Sequence, residues 1–184
     1  MKQTITRKGT FDAGHRVMFE RVKCYNIHGH LYQYELTFEY EQIKDIGYAI
    51  DFKEIKRIAC NYIDDRFDHG FIANPKDDVM VNACVETGSK MRFSPFVNEE
   101  GFCNPTAENI SKDLFLSVTQ LMSDYSNILK LKTVRLYETP NCFVDCFDYS
   151  ISDQDYLNFN KMYDEDITAY RNKCGKFEYD SRLL

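Results

Sequence analysis

The sequence predicts an α+β domain with helices packed on one face of an antiparallel sheet. Three observations carry this. Residues 28–40 alternate sharply, with His28, His30, Tyr32, Tyr34, Leu36, Phe38 and Tyr40 on one side. Gly29, Gln33, Glu35, Thr37 and Glu39 fall on the other, and Leu31 is the one large exception. The middle of the chain carries stripes at helical spacing, and strand patterning returns before residue 149. Strands at both ends and helices between them fit a layer of helices over a sheet better than a doubly wound fold.

Each element follows from its own pattern. Over residues 10–17, Phe11, Ala13, His15 and Val17 share one parity and Thr10, Asp12, Gly14 and Arg16 the other, the alternation of a half-buried strand. A polar connection, 20–26, leads into the 28–40 run. Then the period lengthens: Phe52, Ile55, Ile58, Ala59 and Tyr62 recur behind Asp51, a capping residue type, so a helix is expected over 52–63. Residues 64–75 read as turn-rich, 77–86 as a short helix and 90–96 as a short strand. Asn104-Pro105-Thr106-Ala107-Glu108 opens a second long helix, with proline favoured in the first turn and Glu108 near the positive end of the dipole. Ile110, Leu114, Val118, Leu121 and Tyr125 form its buried stripe. Strands are expected over 130–138 and 143–149, joined by Thr139-Pro140-Asn141. Residues 1–149 thus read as one domain. Residues 150–184 read as a C-terminal extension with no evident chemistry and a weak stripe of Leu157, Met162, Tyr163 and Tyr170.

Composition narrows the function. The chain has 184 residues, enough to close a core without disulfide staples. Its net charge is −6 and it has no Lys/Arg-rich run, which argues against nucleic acid or an anionic membrane surface as a partner. No window approaches the ~20 apolar residues of a membrane span. Seven cysteines, with no CxxC pair and no leader-like N-terminus, point to a reducing cytoplasm rather than a disulfide scaffold.

The chemistry concentrates in the four histidines. His28 and His30, two apart on a strand, send both rings from the same face, and His15 lies on the apolar face of the preceding strand. Three imidazoles suit Zn²⁺ and leave one coordination position for water or a substrate oxygen. A His-x-His pair alone is as readily a surface feature, so the third histidine in register is what favours a metal. Cys24, beside Lys23 and just ahead of the pair, is either an inert thiol or an activated general base, and the residues leave that open. Cys60, Cys142 and Cys146 read as core cysteines. In Asp68-His69 a carboxylate can fix the tautomer of an imidazole, although adjacent residues are not expected to pair face to face. Glu138 shares the apolar parity of Val134 and Leu136, where a carboxylate needs a partner such as the two-donor edge of a heterocycle.

Taken in order, these residues resemble the family of 6-pyruvoyltetrahydropterin and 6-carboxytetrahydropterin synthases. The matching motifs are Phe11-x-Ala13-x-His15-Arg16, Cys24-x-x-x-His28-Gly29-His30, Asp51-Phe52 followed by Lys56, Asp68-His69, Pro105-Thr106-x-Glu108-Asn109 and Glu138-Thr139. The resemblance implies a tunnelling fold: a four-stranded antiparallel sheet with two main helices on one face, whose subunits join into a barrel, usually a homohexamer made of two trimers, with sites between subunits. It implies that His15, His28 and His30 bind zinc and that Cys24, Asp68 and His69 move protons. It implies that Glu138, helped by Thr106 and Glu108 at the helix start, binds the pterin. The implied substrate is the small molecule 7,8-dihydroneopterin triphosphate. The three-residue gap between Cys24 and His28 resembles the carboxy-forming branch, which releases acetaldehyde and triphosphate in 7-deazaguanine (queuosine) synthesis. The pyruvoyl-forming reaction and a non-catalytic zinc or pterin module are the alternatives. Gly70 and Ala73 depart from the family pattern, segment 76–103 is longer than in compact members, and residues from 150 onward have no family counterpart.

Overall fold

The structure is a computed structural model that describes residues 2–41 and 47–175. The last residues of the extension, 176–184, lie outside those described. A six-stranded sheet carries all but two short strands. Strand β1 (Gln3–His15) pairs antiparallel with β2 (His28–Tyr40) without interruption, from Gln3 opposite Tyr40 to His15 opposite His28. β1 begins earlier than the expected 10–17. In its first half only Ile5 is apolar, so periodicity is blind there, but β2 supplies a pairing partner along the whole length. It also stops at His15, because Arg16 turns away to Asp77 and Val17 donates its N–H to the Cys24 carbonyl.

Helix α1 (Phe52–Ile55) starts at Asp51, whose carboxylate accepts from the Lys53 N–H at 2.8 Å. It passes through a π-helical turn (Lys56–Cys60) into α2 (Asn61–Phe67). The chain then enters β3 (Gly70–Ala73), α3 (Asp78–Thr87), β4 (Met91–Phe93) and a hairpin of β5 (Val97–Asn98) and β6 (Gly101–Phe102). Helix α4 (Ala107–Leu121) is followed by β7 (Lys130–Thr139), β8 (Cys142–Phe147) and α5 (Asp153–Cys174). The sheet order is β4-β3-β1-β2-β7-β8. β1, β2, β7 and β8 form the expected four-stranded antiparallel set, while β3 and β4 run parallel along the free edge of β1. The stretch read as turn-rich therefore holds a strand, because a four-residue strand without strong alternation is specified by the edge it pairs with.

One face of the sheet is apolar and covered. Phe11, Tyr32, Leu36, Phe38, Val134 and Leu136 share a core with Ile55, Tyr62, Ile63, Leu114 and Val118 from the helices. The Phe11 and Tyr32 rings stack with centroids 5.0 Å apart. The other face is polar, with ladders such as Lys8 to Glu35 and Arg135 to Asp145, as expected of an antiparallel sheet wetted on one side. No helix among the described residues is long and apolar enough to cross a membrane.

Helix α5 lies outside α4 and joins the same core. Ser152 and Asp155 form a reciprocal capping box that sets its start. Phe159, Ile167 and Tyr170 are its buried apolar residues, with Tyr163 half-buried between them. Leu157, expected in the stripe, is 63% exposed. The apolar spacing is weak because polar groups hold much of the interface. The buried Arg92 guanidinium bonds Asp113 at 2.7 Å and lies 3.9 Å from the Tyr163 ring centroid. The Tyr163 hydroxyl donates to the Phe93 carbonyl at 2.6 Å, and Asp166 accepts from Tyr62 at 2.9 Å and from Arg66. Phe159→Ala should cost about 3–5 kcal/mol in denaturant unfolding. Leu157→Ala should fall within about 0.5 kcal/mol of the parent. Equal effects would contradict this orientation of α5.

Candidate active site

The β1–β2 register places His15 opposite His28, and His30 two pairs further along, opposite Ala13. All three rings leave the covered face of the sheet at its open end. Their centroids lie 4.5 to 5.3 Å apart, and the candidate ligand atoms are within 4.8 Å of one another. His15 is 1% exposed. Its Nδ1 is 2.8 Å from the Pro105 carbonyl, and His28 Nδ1 is 2.7 Å from the Asn26 carbonyl. A carbonyl can only accept, so both Nδ1 atoms carry the proton, and in the neutral His15 ring Nε2 presents a lone pair. This is how ligand imidazoles are oriented by the groups behind them. His15 Nε2 is buried without a hydrogen-bond partner among the described residues, the kind of orphan a metal ion would satisfy. Burial pushes the His15 imidazole down to about 4, against the Pro105 hydrogen bond, and burial also lowers His30 against the pull of Glu138. Both are held in the neutral form a metal requires.

Glu138 completes this end of the sheet. β7 and β8 pair Tyr137 with Phe143 and Thr139 with Cys142, leaving Glu138 as the extra residue of a bulge. A bulge re-aims its side chain. The Glu138 Oε1 lies 3.6 Å from His15 Nε2 and 3.9 Å from His30 Nε2. A cavity of about 340 Å³ opens beside it, lined by His15, Glu20, Cys24, Thr106, Glu108, Glu138, Cys142 and Phe143 among others. Pro105 is buried ahead of the cap rather than in the first turn of α4. Thr106 is the N-cap itself, and its side chain makes no capping hydrogen bond.

Not every expected residue joins this cavity. His69 sits on the opposite face, in a cleft of about 300 Å³ that Asp12, Gly14, Gly29, His30 and Leu31 also line, and Asp68 lies beside Asp12. They do pair directly, contrary to expectation: His69 Nδ1 donates to Asp68 Oδ2 at 2.5 Å. His69 takes a left-handed backbone, φ 55°, which folds its ring back over its neighbour. The Asp12 N–H donates to Asp68 Oδ1 at 2.8 Å, and the His69 N–H to the Asp12 carbonyl at 2.7 Å. The Asp12 N–H, with His69 adding to it, holds the Asp68 carboxyl below its ordinary value despite some desolvation. The His69 side chain is 79% exposed. One chain thus offers a metal-ligand face with Cys24 and, across the sheet, a carboxylate–imidazole pair.

Some lining residues were not legible in the sequence. Cys142, read as core, is exposed at the mouth of the cavity, because the β7–β8 turn lifts it off the helical layer; Cys60 and Cys146 are buried as expected. Glu20 accepts from the Val22 and Tyr25 N–H groups at 2.8 and 3.2 Å and so shapes the Cys24 loop. A loop glutamate carries no periodic signal.

Comparison with known proteins agrees with this geometry. Residues 4–148 match the family model described as 6-pyruvoyl tetrahydropterin synthase. A 6-carboxy-5,6,7,8-tetrahydropterin synthase from Rickettsia felis is 37% identical over 142 residues, 76% of this chain and 96% of the relative. Among solved structures, an uncharacterised protein of Wolinella succinogenes aligns with a TM-score of 0.62 at 18% identity, covering 80% of this chain and 99% of that one. The 6-pyruvoyl tetrahydropterin synthase of Caenorhabditis elegans aligns at 0.55 and 22%, covering 80% and 96%. The architecture is the T-fold, and the chain belongs to the 6-pyruvoyl tetrahydropterin synthase family. It is an enzyme of that family, and helix α5 lies beyond the matched residues.

The site makes two measurable statements. Metal analysis of chelator-free protein should find about one ion per chain, and His28→Ala should lose it with the fold intact by circular dichroism. In chelator-treated protein His15 stays neutral in the fold but gains a proton once unfolded. Its stabilising contribution is therefore full above pH 6.5 and falls as pH drops toward about 4. Thermal midpoints should decline across that window in the parent and more shallowly in His15→Asn.

Proposed function

We propose that this chain is a zinc-dependent enzyme that converts 7,8-dihydroneopterin triphosphate to 6-carboxy-5,6,7,8-tetrahydropterin with release of acetaldehyde and triphosphate. The observation that carries the reading is the shared cavity. His15 lines it beside Cys24 and the bulge residue Glu138, its ring nitrogens cluster with those of His28 and His30, and His15 and His28 each bond Nδ1 to a backbone carbonyl. His15, His28 and His30 would hold the ion; a set of nitrogen donors alone suits zinc, and three of them leave a position open. Zinc, when bound, supplies a Lewis acid for the hydroxyl oxygens of the substrate side chain.

The chain's own residues account for binding and proton traffic. Glu138 accepts from the ring N–H and exocyclic amino group of the pterin, a two-donor edge that matches two carboxylate oxygens. Thr106 and Glu108 close the same side of the cavity at the start of α4. Cys24 takes or returns a proton at one side of the substrate side chain. Asp68 keeps the His69 proton on Nδ1, so His69 Nε2 is free to exchange a proton at the other side. Because His69 and Cys24 lie on opposite faces of one sheet, a working site combines Cys24 of one copy with His69 of another. This supports a barrel-like homo-oligomer, a hexamer of two trimers in this reading. The ring becomes tetrahydro as the side chain is oxidised and cleaved, so no external redox cofactor is required. The place in 7-deazaguanine (queuosine) synthesis and a cytoplasmic location belong to the same proposal.

The three-residue gap between Cys24 and His28 and the name of the Rickettsia relative favour the carboxy product. The description of the matching family model favours the second reading, triphosphate elimination to 6-pyruvoyltetrahydropterin. Mass spectrometry of the product of 7,8-dihydroneopterin triphosphate, with an acetaldehyde assay, separates the two. Intact substrate after incubation with metal-loaded protein would sink both. Cys24→Ala should lower kcat by about 10²–10⁴-fold with metal content unchanged, the range of a positioned acid–base group. Cys142→Ser should stay within a few fold.

A further inference from the structure

We propose that Asp77, at the start of α3, is a positioning residue that acts through Arg16 to hold the loop carrying Cys24. The proposal deepens the reading of Cys24 as an acid–base group and rests on it. The loop, residues 16–27, joins the two strands of the histidine site, and it is anchored outside its own hairpin at Asp77 and Asn104. Both Nε and Nη2 of Arg16 donate to the two carboxylate oxygens of Asp77. Asp77 is 2% exposed, and the Arg16 side chain is largely covered. The Arg16 guanidinium carbon is also 5.4 Å from the ring centroid of Tyr25, the neighbour of Cys24. One cation is thus held between a buried carboxylate and the aromatic ring that follows the thiol in sequence.

The next residues of the loop are gripped in turn. The Val17 N–H donates to the Cys24 carbonyl at 2.8 Å, so the position of residue 17 sets that of Cys24. The Met18 N–H donates to Asn104 Oδ1 at 3.0 Å, and Asn104 Nδ2 donates to the Met18 carbonyl at 2.9 Å. Asn74 ties this to the Asp77 clamp: its side chain donates to Asn104 Oδ1 at 3.1 Å, and its carbonyl accepts from the Asp77 N–H at 2.9 Å. The two ends of segment 74–104 therefore hold the Cys24 loop. A bidentate arginine–carboxylate pair fixes orientation as well as distance, which a lysine cannot do. A reacting group displaced by about 1 Å can lose up to ~10²-fold in rate.

Asp77→Asn keeps an oxygen acceptor for the Met80 N–H, which Asp77 caps, and removes the charge and one of the two acceptors of Arg16. In the full-length, metal-loaded protein it should leave metal content unchanged and raise amide exchange of the 16–27 peptide about tenfold, as local opening becomes easier. It should lower kcat about 10- to 100-fold with KM within a few fold, and Asp77→Glu should recover part of both. Arg16→Lys leaves the α3 cap untouched and should give the same signature, so it decides the matter if Asp77→Asn does not fold. Wild-type exchange and kcat in a folded Asp77→Asn or Arg16→Lys would overturn the proposal. If the parent itself turns over no pterin, the reading of Cys24 fails, while the exchange measurement still decides the clamp.

Discussion

The structure depends on the backbone register between β1 and β2. Because side chains alternate with a period of two, a slip of one residue would send His15 to the face opposite His28 and His30 and carry Phe11 and Ala13 out of the core. The burial of Phe11, Tyr32 and Leu36 under the helices therefore also determines where the imidazoles meet. Core packing and ligand geometry are here the same constraint.

Other elements finish what the hairpin begins. The Pro105 carbonyl, just ahead of α4, sets the tautomer of His15, and the β7 bulge turns Glu138 toward the same spot. The long segment between β3 and α4 contributes strand β4 at the sheet edge and, through Asn74, Asp77 and Asn104, a cradle for the loop between the first two strands. Helix α5 seals the outside of α4 with a mixed interface in which the buried Arg92–Asp113 pair is covered by the Tyr163 ring. Such a pair is held by its geometry, since removing either partner would leave a charge in an apolar setting.

The site has two faces. The histidine cluster opens on the covered side of the sheet, where burial keeps His15 and His30 neutral. The Asp68–His69 pair stands on the wet side, held by Asp12 backbone groups and a left-handed residue. Cys24 and His69 line different cavities, which is why the proposed chemistry draws on two copies.

Much of this was already legible in the residues. Alternation determined β2, helical stripes determined α1–α2 and α4, and the parity of His15 with the His28–His30 pair determined the cluster of three imidazoles, because period and side-chain direction are local properties. Only the tertiary structure decided the rest. The first half of β1 and β3 exist because neighbouring edges need pairing. The direct Asp68–His69 bond needs an unusual φ, and the exposure of Cys142 depends on where a turn lifts away from a helix. The buried face of α5 was misread through Leu157, because polar bonds to Arg92, Arg66 and Tyr62 orient that helix as much as apolar spacing does. Those terms arise between residues distant in sequence, and a one-dimensional pattern does not contain them.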